Sequence, residues 1–141
     1  MKLEKVILQN FRGFAGRTEI AVSEITTIVG RNDVGKSSVL DALGAFFEHP
    51  LCKVDSSDVC VHPDETGEMR IGCVFSDLPA KLILDATVET SLAAEYLLNP
   101  DGMLEVHKVW PITESRLGKQ KTLVIANHPT AEDYANLLHA K

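Results

Sequence analysis

No apolar run in the sequence approaches the ~20 residues that a membrane-spanning helix needs, so no transmembrane segment is expected. The first residues, "MKLEKVILQN", have neither the apolar stretch nor the small-residue cleavage site of a secretory leader, which makes the cytoplasm the expected setting. Cysteine is scarce. Cys52, Cys60 and Cys73 are an odd number without an export signal, which argues for reduced thiols over a disulfide framework. There is no run of Lys or Arg. Residues 1–36 carry six basic and four acidic residues, a net of +2, whereas residues 37–141 carry eight and sixteen, a net of −8. A nucleic-acid backbone calls for a clustered basic face, so DNA contacts are expected mostly outside this chain. Internal repeats and low-complexity tracts are missing as well. What is present is an ordinary globular composition, 45% apolar and 24% charged, over a length that suits one core.

The pattern begins with a hairpin. "KVILQNF" (5–11) and "TEIAV" (18–22) read as strands joined by the glycine-containing turn "RGFAGR" (12–17). "ITTIVG" (25–30) has no polar face and is expected to be a strand buried on both sides. From Lys36 to Glu48 the period becomes helical, with Val39, Leu43, Phe46 and Phe47 on one apolar face. Residues 51–67 are polar and turn-rich and read as a surface loop. "EMRIGCVFSDL" (68–78) alternates as a half-buried strand with Met69, Ile71, Cys73 and Phe75 on one side. "AEYLLNPDGMLEVHKVW" (94–110) reads as a hairpin around the "NPDG" turn, with Trp110 packing at its end, and "KTLVIANH" (121–128) as a further strand. Thr130 and Asp133 mark a helix start, Tyr134, Leu137 and Leu138 begin its apolar face, and no stop signal follows. The natural protein is therefore expected to continue past Lys141.

Within this frame, "GRNDVGKSSVLDAL" (30–43) carries the chemistry. Gly30, Gly35, Lys36 and Ser37 satisfy the spacing G-x-x-x-x-G-K-[ST], between an apolar run and an amphipathic helix. Glycines let the backbone wrap around phosphate oxygens and turn N–H groups inward. The helix N-terminus adds partial positive charge. Lys36 is expected to reach the β- and γ-phosphates of ATP and Ser37 to ligate Mg²⁺, with Ser38 following in the same turn. Arg31, Asn32, Asp33 and Val34 supply backbone donors, and Asn32 can also use its amide. Asp41 lies a turn beyond Ser37 and reads as a solvated or locally paired carboxylate.

The run "LEKVILQNFRGF … TEI … ITTIVGRNDVGKSSVLDAL" resembles the opening of ABC-type ATPase heads of the SMC, RecF and OLD group, with wording closest to OLD-like AAA family ATPases. Residues 1–48 carry the likeness, and Asp33 departs from the glycine common in SMC heads. The resemblance implies an α/β, P-loop NTPase-like mixed sheet with an antiparallel hairpin extension, forming the N-terminal lobe of a head. Residues 1–50 would hold the hairpin, phosphate strand and helix, 51–67 a surface loop, 68–128 antiparallel strands and 129–141 the start of a helical insertion. It also implies a C-terminal lobe with the remaining motifs, head dimerisation around ATP, and a role on DNA in repair, nuclease action or phage defence. Arg12, the basic residue of the N-F-R motif, is implied to lie near the nucleotide. Gln120 in "LGKQKT" stands as a candidate for the glutamine near Mg²⁺.

No apolar run ends in Asp-Glu and no signature motif is visible. No catalytic residue is therefore assigned, and this chain alone is expected to be inactive in hydrolysis. Should it turn over ATP, Asp55, Asp58 and Asp64 are the carboxylates to suspect. Competing readings are a non-hydrolysing interaction module stabilised by nucleotide, and a small GTPase suggested by "DETG" (64–67), although "NHPT" (127–130) supplies no base reader. His49, Cys52, Cys60 and His62 have the atoms for Zn²⁺ but no familiar spacing. His107, His128 and Glu105 have no nucleophile partner at a telling distance in sequence.

Overall fold

The computed structural model describes residues 1–28, 35–85 and 88–127. Its centre is an antiparallel sheet in which β1 (Lys2–Gln9) lies between β2 (Thr18–Ala21) and β3 (Glu68–Ser76), and β3 pairs in turn with β6 (Leu104–Thr113). The far side of β6 pairs with both β7 (Arg116–Leu117) and β8 (Lys121–Ile125). A separate small hairpin joins β4 (Leu82–Asp85) to β5 (Val88–Thr90). The period-2 pattern of β3 sets the core. Met69, Ile71, Cys73 and Phe75 are buried on one face, with Val6 and Leu8 of β1 and Trp110 of β6 in register beside them.

The helix α1 (Lys36–Phe46) lays Val39, Ala42, Ala45 and Phe46 on that face. It begins at Gly35, whose φ of +80° is the left-handed region that glycine enters without a side-chain clash. Gly44 serves close packing: a Cβ there would collide with Cys52. The helix ends two residues earlier than its periodicity predicts. Phe47 falls past the last turn and is 59% exposed, its ring meeting Phe46 and Phe75 only at the rim of the face that Phe46 fills.

Three further expectations change. Residues 25–28 form no strand. An apolar run without a polar face needs cover on both sides, and no described strand lies along it, leaving Ile25 89% exposed. Residues 94–98, expected as the first arm of a hairpin, form no strand; 92–96 are a turn in which Ser91 accepts from the Ala94 N–H. The "NPDG" turn itself forms: the Asn99 carbonyl side chain accepts from the N–H groups of Asp101 and Met103, at 3.0 Å each. Finally, the 51–67 segment is more than a surface loop. Asp58 and Cys60 are buried, and the Cys60 N–H donates to the Asn10 carbonyl at 2.9 Å. Asn10, fully buried at the end of β1, donates to Asp64 at 2.7 Å and accepts from the Asp64 N–H at 2.8 Å. Thus Asp64 of "DETG" is occupied in fastening a loop. The expected helical start at 129–141 lies outside the described residues.

Candidate phosphate site and its flank

The first turn of α1 carries Lys36, Ser37 and Ser38. Among the described residues no side chain caps the helix, and no acidic residue stands in its first turn. An N-terminus of this kind presents backbone donors and uncompensated positive charge. Ser37 is exposed, while Lys36 and Ser38 are half-buried. These residues suit a phosphate and its Mg²⁺: donors and a cation for the anion, a hydroxyl for the metal. Gly30, Arg31, Asn32, Asp33 and Val34 lie outside the described residues.

The turn between β1 and β2 flanks this helix start. Phe11 and Phe14 exchange backbone hydrogen bonds of 3.0 and 2.9 Å around Arg12 and Gly13. Arg12 takes φ +50°, a region costly for a long side chain. Phe14 reaches Gly35, where a Cβ would sit 3.4 Å from its ring. Arg12 reaches further. Its Nη1 donates to Asp41 Oδ2 at 2.6 Å and stands 3.5 Å from Ser38 Oγ, and its Nε donates to Asp58 Oδ1 at 2.9 Å. The Asp58 carbonyl also accepts from the Arg12 N–H at 2.7 Å. The other carboxylate oxygen of Asp58 accepts from the Asp55 N–H, closing a capping box around the 3-10 turn Ser56–Asp58. Partial burial works against the Arg12 charge, but the hydrogen bonds to Asp41 and Asp58 outweigh it and move its pKa up. Asp41 is therefore a locally paired carboxylate.

The sequence named Asp58 only as a carboxylate to suspect in turnover, not as the partner of Arg12. Its signal was local, since "DSSD" (55–58) is a capping-box pattern, but its partner 46 residues away was not visible in it.

Other candidates sit elsewhere. Gln120 is exposed and lines a cleft of about 400 Å³ with Glu48, His49, Cys52 and Trp110. That cleft is at the C-terminal end of α1, about 16 Å of helix from Lys36, so Gln120 is not brought to Ser37. His49, Cys52, Cys60 and His62, which have the atoms for Zn²⁺ but no familiar spacing, form no such cluster: among the described residues no group of three potential metal ligands comes together. His107 is buried in an ion network on the opposite sheet face, between Arg70 and Glu105. Among the described residues no helix is long and apolar enough to cross a membrane.

The sequence model of one protein family, described as an AAA ATPase domain, matches residues 1–141. A chromosome partition protein Smc from Halobacteriovorax marinus is 48% identical over 44 residues, covering 30% of this chain and 4% of that protein. An SMC head domain from Thermotoga maritima superposes with a TM-score of 0.53 at 19% identity, covering 97% of this chain and 42% of the other. The chain thus spans under half of that head and a small part of the Smc protein, and at this identity the structural likeness speaks for the fold.

Proposed function

The chain belongs to the AAA ATPase domain family and shares the fold of an SMC head domain, and on that premise we propose that it binds ATP with Mg²⁺ as the N-terminal lobe of a larger head. The observation that carries this reading is the start of α1. Gly35 turns the chain, Lys36 and Ser37 follow, and among the described residues no side chain caps the helix and no acidic residue stands in its first turn. Lys36 would hold the terminal phosphates and Ser37 would hold Mg²⁺. Bound Mg²⁺ offsets phosphate charge. Arg12 stands beside the same turn as a second cation.

Hydrolysis requires a second lobe. Phosphoryl transfer needs a positioned water and compensation for developing charge, and among the described residues Asp58 is engaged in holding Arg12 and Asp64 in holding Asn10. Exposed Leu40 on α1, Phe47 just past its end, and Ile25 and Ile28 before the loop support a docking surface for such a lobe. Two such heads close around nucleotide, act in the cytoplasm, and contact DNA through regions outside this chain.

Titration calorimetry with ATP and Mg²⁺ tests the site. Lys36→Ala is expected to abolish most of the binding through loss of a charge-assisted contact. Equal affinity in the variant would remove the phosphate role of Lys36. Phosphate release by the 141-residue chain is expected to stay at the level of the Lys36→Ala control.

A further inference from the structure

Arg12, Asp41 and Asp58 form a closed group with a net charge of −1 beside the first turn of α1. Its two carboxylates are not equivalent. The Asp58 side chain is 11% exposed and uses both oxygens, one on Arg12 Nε and one on the Asp55 N–H. That makes it an anchor. The Asp41 side chain is 46% exposed and grips a terminal nitrogen of the guanidinium. It is the arm most readily exchanged, because water can solvate the carboxylate once it is released.

We propose that Asp41 competes with the terminal phosphates of the nucleotide for Arg12. The proposal rests on reading the loop as an ATP site with Arg12 at its flank. Without nucleotide, Asp41 neutralises Arg12 and adds a negative charge next to the place an anion must occupy. When phosphate arrives, it replaces Asp41 at the terminal nitrogens, while Asp58 keeps Nε and prevents the side chain from leaving. The exchange thus needs a small rotation at one end of the guanidinium, within a turn already held by the Phe14–Gly35 contact. A binding-competent state that is only partly populated lowers apparent affinity by its population. Asp41 consequently sets how much anionic charge a ligand must bring before Arg12 changes partner.

The test is a double-mutant cycle read by calorimetric titration with ATP and Mg²⁺, on the unmodified chain, Asp41→Asn, Arg12→Ala and the double variant. Asp41→Asn is expected to bind more tightly by roughly two- to fivefold, the range of one partly exposed ion pair. The gain is expected to vanish when Arg12 is Ala. Asp41→Ser, which removes the charge with a different side chain, is expected to behave alike, and thermal melts identify any variant that fails to fold. Unchanged or weaker binding in both folded Asp41 variants overturns the competition, as does a gain that persists without Arg12. If the unmodified chain binds no ATP, the phosphate-site reading falls and the competition with it. That result differs from the first two, in which Lys36-dependent binding remains.

Discussion

Gly72 of β3 and His107 of β6 face each other across the sheet so closely that a Cβ on Gly72 would lie 2.8 Å from the His107 ring. The imidazole therefore lies over the glycine, fully buried. Its Nδ1 is 2.9 Å from Arg70 Nη1 and its Nε2 2.8 Å from Glu105 Oε1. Arginine only donates, so Nδ1 accepts and Nε2–H donates to Glu105. One tautomer of neutral histidine satisfies both partners.

Substituting Gly72 with Ala should push the ring from this place. Backbone on a central strand cannot move aside cheaply, and overpacking of this kind costs about 1–3 kcal/mol. Urea denaturation of Gly72→Ala checks it. A loss within about 0.5 kcal/mol would mean that the ring shifts freely, and the pairing with Arg70 and Glu105 would then not be structural.

Acid should loosen the same network. Burial pushes the His107 pKa down, the hydrogen bond to Glu105 opposes this, and the positive charges of Arg70 and Arg17 add to the lowering. The folded-state pKa lies below the unfolded value of about 6.5. Histidine then binds fewer protons folded than unfolded, so its share of stability is present above that value and is lost as pH falls through the folded pKa. Urea midpoints measured at about pH 7.5 and pH 5.5 should fall for the native chain and fall less for His107→Gln. Parallel falls in the two proteins would assign the acid sensitivity to other groups.

Two neighbouring phenylalanines should part company. Phe46 is 8% exposed, lies 6.2 Å from the Phe75 ring, and has the Lys108 ammonium 5.8 Å from its ring centre. Phe46→Ala should cost roughly 3–5 kcal/mol. Phe47→Ala, at a site 59% exposed, should cost less than about 1 kcal/mol. Equal costs in urea denaturation would show that the end of α1 packs differently.

Local pattern was enough for much of this chain. The turn and strands of the first hairpin, the alternation of β3, the start of α1 and the "NPDG" turn are each set by spacing and turn chemistry within about a dozen residues. The phosphate-loop spacing is legible for the same reason, since its function depends on consecutive backbone. The rest depended on which distant segments meet. Periodicity placed Phe46 and Phe47 on one face, but the helix ended between them at Phe46. Residues 82–85 and 88–90, which pair as β4 and β5, carried no signal that marked them as partners. No local pattern could bring Asp58 to Arg12, Asp64 to Asn10 or Arg70 to His107, because those partners are 46, 54 and 37 residues apart. Nor could it send Gln120 to the far end of α1. Sequence settles which residues share a face, because side-chain direction follows backbone period. Only the sheet register and the docking of loops decide which charged groups end up within hydrogen-bond reach, because that choice is made by the burial of apolar neighbours.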